Sequence, residues 1–319
     1  MSQHVPNNGL VPASARAFAP ATVANLGPGF DILGMAVTGI GDTVTAHLCD
    51  KPGTSVVKIT GDGGKLSLDA TRNTAAIAAE FVRQQIRPDL GIELEIEKGL
   101  PLASGLGSSA ASAAAGAVAT NALLGNPLSQ LELLPACLEA EATVSGRHAD
   151  NVGPALLGGI VLVTGITPDC LFPLPVPDGL HFALVTPDVA VPTAQARAVL
   201  PKEVPFSKMV SQTRAVAELM YGLYSGNLDL LVNAMAEDSI IEPARQHLIP
   251  HFAMARDTAL AYGAKACIIS GAGPTLCIVA PTADLAEKSG AAVQEVFVSH
   301  GIGAIYRVAQ VATRGAYSF

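Results

Sequence analysis

The chain has 319 residues, of which half are hydrophobic and 14% are charged, enough apolar material to bury a core in two domains. Its formal net charge is −8 and no cluster of Lys and Arg occurs, which argues against a nucleic-acid surface or an anionic membrane surface. Five scattered cysteines with no C-x-x-C pair read as reduced thiols of a cytoplasmic protein, and the longest apolar run, residues 155–166, is too short and glycine-rich to span a bilayer.

Residues 1–14 carry Pro and Asn but no basic stretch followed by an apolar one, so a loose N-terminus is expected and not a signal peptide. Residues 17–37 read as strand, loop and strand. The loop, Asn25-Leu26-Gly27-Pro28-Gly29-Phe30-Asp31, is crowded with turn formers. Strands are expected again at 42–48 and 54–60. Asn73-Thr74 then has the form of a helix cap, and the helix runs to Ile86 before Arg87-Pro88 ends it. Gly91 to Lys98 alternates Ile92, Leu94 and Ile96 with Glu93, Glu95 and Glu97, the period of a half-buried strand.

Next comes Pro101-Leu102-Ala103-Ser104-Gly105-Leu106-Gly107-Ser108-Ser109-Ala110-Ala111, leading into an alanine-rich run to Leu124 that favours helix. A strand, a glycine loop and a helix N-terminus in that order suit an anion. The first helical N–H groups lack partners and sit at the positive end of the dipole. Gly105 and Gly107 allow close backbone approach, and Ser108 and Ser109 add hydroxyls. No Lys follows the last glycine, so this is not a Walker A loop. Ala111 stands where a nucleophile elbow has its second glycine. A capped helix after a glycine turn is the plainer alternative.

Residues 128–145 read as a second helix. Leu134, Leu138 and Glu141 recur at i, i+4 and i+7, so the Glu141 carboxylate shares the apolar face, while Glu139 lines up with Glu132 on the polar one. A buried carboxylate needs a partner, either a metal on a polyphosphate or an internal ion pair. Ser145-Gly146-Arg147-His148-Ala149-Asp150-Asn151 leads to a glycine-rich strand over 158–164. Pro168, Pro173, Pro175 and Pro177 then mark a domain boundary. Beyond it, strands are expected at 181–186, 264–269, 275–279 and 304–311, and helices at 206–224, 228–238, 243–262 and 283–300. Arg197 and Arg245 lie in segments bounded by proline, and Ser270-Gly271-Ala272-Gly273-Pro274 reads as a tight loop.

Pro101 to Ala111 resembles the phosphate-binding signature of the GHMP kinases, and the loop over 270–274 resembles the third motif of that superfamily. Residues 25–31, 145–151, 191–201 and 242–250 are similar to segments of the homoserine kinase family in particular. The resemblance runs from Phe18 to Val279. It implies an α+β, two-domain GHMP kinase fold: an N-terminal β-α-β nucleotide-binding domain over 15–167 and a C-terminal ferredoxin-like α/β sandwich over 168–319. It further implies ATP held on residues 101–111 with Asn73 near the base, and Mg²⁺ held by Glu141 and Ser109. The implied acceptor is L-homoserine. Asn25 and Asp31 would face its ammonium and hydroxyl, while Arg197 and Arg245, with Thr193, would hold its carboxylate. Asn151 would face the reacting hydroxyl beside Asp150 and His148, with no clear general base. Which of Asp150 and Asn151 faces that hydroxyl stays open, and a homodimer is expected. The alternatives are a mevalonate- or sugar-type kinase, an inactive small-molecule sensor on the same fold, and, more remotely, a serine hydrolase built on Ser108 or Ser109.

Overall fold

Two β-sheets organise the chain, and the computed structural model describes residues 13–319. The expected loose segment lies outside the described residues as far as residue 12; Ser14 already opens the first strand. Strands β1 (Ser14–Ala24) and β2 (Leu33–Cys49) pair antiparallel on either side of the 25–32 loop. Then come β3 (Gly53–Thr60), α1 (Thr74–Ile86) and β4 (Gly91–Glu97). β3 and β4 pair in parallel, which demands a crossover, and α1 supplies it. The elements α2 (Ser108–Leu123), α3 (Leu134–Ala142), α4 (Ala149–Leu157), β5 (Ile160–Val163) and β6 (Leu171–Leu174) complete this half.

The second half holds β7 (His181–Pro187), α5 (Thr193–Ala198), α6 (Phe206–Ser225), α7 (Leu228–Met235), α8 (Ile241–Arg245) and α9 (Phe252–Ala261). It continues with β8 (Ala266–Ile269), β9 (Leu276–Ala280), α10 (Ala283–Ser299), β10 (Ala304–Ala309) and β11 (Tyr317–Ser318). The first sheet has seven strands, in the order β11-β1-β2-β4-β3 with β5 on β2 and β6 on β5. The second has four antiparallel strands in the order β10-β7-β9-β8. That order is the ferredoxin-like arrangement expected of the second half, and the whole is an α+β fold of two sheet-based halves.

Alternation along β7 divides the core. Phe182 and Leu184 join the large apolar cluster that also contains β1, β2, β4 and α2, whereas Ala183 and Val185 face a second cluster under α9 and α10. The two halves therefore share the first of these clusters. Helix α2 is buried along most of its length because its alanines and Gly116 admit close neighbours; a Cβ on Gly116 would overlap the backbone of Ala75 at the start of α1.

Several elements differ from expectation. The helix expected over 128–145 is confined to α3 after a short 3-10 turn at Leu131–Leu133, because the Asn121 side chain brackets Leu128 with two backbone bonds and holds it outside the helix. The helix expected over 243–262 breaks into α8 and α9, since Pro250 interrupts it and His251 takes a left-handed φ of 59°. Residues 149–157, to which the sequence reading assigns no element, form α4. Strands β6 and β11 were also not expected, and both join the first sheet from beyond the 167/168 boundary. Pro173 is tolerated in β6 because that strand pairs only with β5.

Candidate active site

A cleft of about 310 Å³ opens between the two halves, lined from both. Its floor is the loop between β4 and α2. Ala103, Gly105 and Gly107 have φ of 52°, 80° and 64°, and no side chain caps α2, so the first N–H groups of the helix are left for a ligand. Only glycine fits at two of these positions. A Cβ on Gly105 would overlap the carbonyl of Ser270, and one on Gly107 would overlap the Thr22 hydroxyl. The 270–274 loop does fold against this one: the Ser270 hydroxyl donates to the Gly105 carbonyl at 2.7 Å, and the Thr275 N–H donates to the Ser104 carbonyl at 3.1 Å.

Residues 102–105 and 107–109 line the cleft, whereas Leu106, Ala110 and Ala111 are buried in the core and frame the loop from behind. Helical periodicity turns those two alanines toward the sheet. Pro101 is half-buried and does not line the cleft. The Ser108 hydroxyl is buried with no partner among the described residues. Asn73 reaches the cleft, but its Oδ1 accepts the N–H groups of Ala75 and Ala76 and so caps α1.

A lysine does serve this loop, from before it. Lys98 is buried, paired with buried Asp42, and donates to the Ser108 carbonyl at 3.0 Å and the Ser112 hydroxyl at 2.8 Å. Asp42 in turn accepts the N–H groups of Gly99 and Leu100. The loop entrance and the first turn of α2 are thus tied to one ion pair. Burial pulls the Lys98 ammonium below its ordinary range, and Asp42 opposes that shift.

Glu141 is buried, on the face its register predicts. Its Oε1 accepts from Ser109 Oγ at 2.7 Å and Ser145 Oγ at 2.6 Å, while its Oε2 is buried without a partner among the described residues. Burial raises its pKa, and the two serine hydroxyls work in the other direction. Glu139 lies on the surface and pairs with Arg147. An orphan carboxylate oxygen next to a hydroxyl whose lone pairs are free fits a hard divalent cation. No group of three or more Asp, Glu, His or Cys residues among the described residues is arranged to hold a metal by itself, so the remaining ligands of such a cation would come from phosphate and water, as is usual for Mg²⁺.

The opposite wall carries the arginines. Arg197, on α5, makes a two-point ion pair with Asp31 at 2.7 and 3.0 Å, and His148 Nδ1 lies 3.8 Å from the same carboxylate. Burial and Arg197 lower the His148 pKa against the pull of Asp31, which favours a neutral imidazole. Arg245, on α8, is 3% exposed. It donates only to the carbonyls of Ala196 and Gly271, at 3.0 and 2.9 Å, and no carboxylate pairs with it. Burial, and then Arg197, bring its pKa down to about 10. Asn25 lines the cleft with both ends of its amide engaged: Nδ2 donates to the Gly271 carbonyl, and Oδ1 accepts the Asp31 N–H. Thr193 lies beside them at the start of α5.

Asn151 and Asp150 both line the cleft from the first turn of α4. Thr22, fully buried on β1, donates its hydroxyl to Asn151 Oδ1 at 2.7 Å, which leaves the Asn151 NH₂ free. Asp150 is buried, and burial, followed by the nearby Asp31, raises its pKa to about 7.

The family described as "GHMP kinases N terminal domain" matches residues 73–159, and "GHMP kinases C terminal" matches residues 219–299. A homoserine kinase of Xanthomonas campestris pv. campestris is 42% identical over 308 residues, covering 95% of this chain and 94% of that one. A homoserine kinase of Arabidopsis thaliana is 44% identical over 290 residues, covering 89% and 78%. The crystal structure of a homoserine kinase from Cytophaga hutchinsonii superposes with a TM-score of 0.92 at 41% identity, covering 99% of this chain and all of that one. The chain belongs to the homoserine kinase family.

Within the homoserine kinase family frame, the cleft gathers residues from seven separate stretches of chain. Asp42, Lys98, Thr22 and Phe30 belong to it structurally but were not singled out from sequence. Lys98 carried one available signal, a lysine at the end of an otherwise Glu-faced strand, immediately before the loop.

Proposed function

We propose that this chain catalyses transfer of the γ-phosphoryl group of ATP to the side-chain hydroxyl of L-homoserine, giving O-phospho-L-homoserine on the route to threonine. The observation that carries the acceptor is Arg245, a buried guanidinium with no carboxylate of its own, in the same cleft as the uncapped N-terminus of α2. A buried cation of this kind calls for an anionic partner. Two arginine forks suit a small carboxylate, which a sugar lacks.

In this reading the amides of residues 105–109 and the hydroxyls of Ser108 and Ser109 hold the triphosphate. Glu141 and Ser109 hold Mg²⁺, which when bound supplies charge neutralisation on the phosphates. Asp31 takes the substrate ammonium, with the remaining lone pair of Asn25 Oδ1 beside it, and Arg197, Arg245 and Thr193 take the carboxylate. The acceptor oxygen then forms its bond to the γ-phosphorus as the bond to the β,γ-bridging oxygen breaks and ADP leaves, and the hydroxyl proton passes to an oxygen of the transferred phosphoryl group and on to solvent. The Asn151 NH₂ faces the reacting hydroxyl, with neutral His148 and Asp150 beside it. Phosphoryl transfer runs through a loose transition state in which positioning and charge neutralisation carry most of the acceleration, so a strong base is not required.

Homodimeric assembly and a cytoplasmic location belong to the same proposal. No helix among the described residues is long and apolar enough to cross a membrane. The deciding experiment is ADP release with Mg-ATP and, in parallel, L-homoserine, mevalonate, galactose and L-threonine. Turnover with homoserine alone is the expected result. Turnover with galactose instead would discard the carboxylate fork, turnover with mevalonate would keep the fork but discard the ammonium site at Asp31, and ATP binding without turnover would favour a sensor.

A further inference from the structure

Phe30 sits among charges that should repel one another. Its ring centroid lies 5.3 Å from Arg197 Cζ and 4.9 Å from Arg245 Cζ, although the two arginines come from separate helices of the second half and the ring comes from the first. Asp31 neutralises Arg197, but Arg245 is buried against carbonyl groups alone. An aromatic ring attracts a guanidinium held near its face, most strongly where water is excluded. The ring is itself held in place. Asp31, next to it, has a φ of 62°, and the Pro28 carbonyl accepts from Gln212 Nε2 at 3.0 Å. A Cβ on Gly29 would lie 2.5 Å from the Leu33 side chain, so the loop has no slack there.

We infer that Phe30 is a positioning residue that holds Arg197 and Arg245 together as one carboxylate-binding fork, acting through the ring's attraction for both guanidiniums. The inference rests on the proposal that those arginines take the substrate carboxylate. An aliphatic side chain of similar size fills the space but offers no such attraction, and the less paired Arg245 then drifts from the fork.

The test compares Phe30→Leu and Phe30→Tyr with the wild type, using L-homoserine and 3-aminopropan-1-ol, which is homoserine without its carboxylate. Phe30→Leu is expected to raise the KM for homoserine about three- to thirtyfold. The KM for ATP should stay within twofold, and the preference for homoserine over 3-aminopropan-1-ol should shrink by the same factor as the homoserine KM rises. Phe30→Tyr, which keeps the ring, should restore most of that preference. A leucine variant with unchanged preference overturns the inference, as does one that weakens ATP and homoserine equally or a tyrosine variant as impaired as the leucine one. If the wild type does not turn over homoserine, the acceptor assignment fails first and the fork falls with it.

Discussion

The carboxylate of Asp31 and the guanidinium of Arg197 bind each other at two points, 2.7 and 3.0 Å apart. The proposal assigns these two groups to opposite charges of one zwitterion, so the ammonium and carboxylate of an amino acid replace the pair's internal partners with external ones of the same sign. Both side chains are about 30% exposed, and a pair so placed contributes about 1 kcal/mol or less, so opening it costs a ligand little. Asp31→Asn is therefore expected to leave Tm within a few degrees of the wild type. It should raise the KM for homoserine about tenfold or more, with the KM for ATP nearly unchanged. Parallel thermal melts and steady-state kinetics check this, and a loss of ATP affinity equal to that of homoserine would remove Asp31 from the acceptor site.

Arg245→Ala removes a buried cation together with its bonds to the Ala196 and Gly271 carbonyls. The KM for homoserine should rise much more than that for ATP, because the phosphate loop is tied to the 270–274 loop through the Ser270 hydroxyl and the Gly105 carbonyl and not through Arg245. Equal damage to both constants would sink the carboxylate role.

Glu141→Gln tests the cation site in a manner independent of turnover. Burial raises the Glu141 pKa, so in metal-free protein the ionised carboxylate costs stability as pH rises, and glutamine removes that cost. The variant should therefore melt no lower than the wild type at pH 8 without metal, while the gain in Tm on adding Mg-ATP shrinks and kcat falls about a hundredfold or more. A wild-type response to Mg-ATP in the variant would take the metal away from Glu141.

Asp150 gives a pH signature. Its pKa is about 7 in the folded chain against an ordinary 3.8, so the folded state keeps a proton that the unfolded state releases. Its contribution to stability is thus present below pH 4, declines as pH rises toward 7, and is absent above that. Asp150→Asn should raise Tm most above pH 7 and hardly at all near pH 4. Glu242, also raised to about 7 by burial and by Asp238, contributes a slope of the same sign, so the variant flattens the pH profile without levelling it. Melting curves between pH 4 and 9 measure the difference, and an Asp150→Asn gain that is equal across that range would show that Asp150 is not the titrating group.

Local patterns were readable before the structure. The phosphate loop follows from its own glycines and the alanine run behind it, and the burial of Glu141 follows from helical spacing with Leu134 and Leu138. What stayed hidden depends on distant partners. Asp42 and Lys98 meet across a strand pair. Thr22 finds Asn151 only once β1 lies beside α4, and Phe30 meets arginines contributed by the other half. Strands as short as β6 and β11 have too few residues for a period, and their pairing is set by the edges they land on. The motif likeness placed Asn25 at the substrate ammonium. The Asn25 amide also stitches the 25–31 loop to Gly271, a bond that no single segment reveals.

Strand β11 has a mechanical consequence. The chain leaves the first sheet after β6, builds the second, and returns after β10 to lay Ala17 against Ser318 and Phe18 against Tyr317. The halves are therefore joined at two crossings and not one. Separating the halves would require unpairing β11 from β1 as well as opening the apolar cluster they share, so the last strand acts as a strap across both.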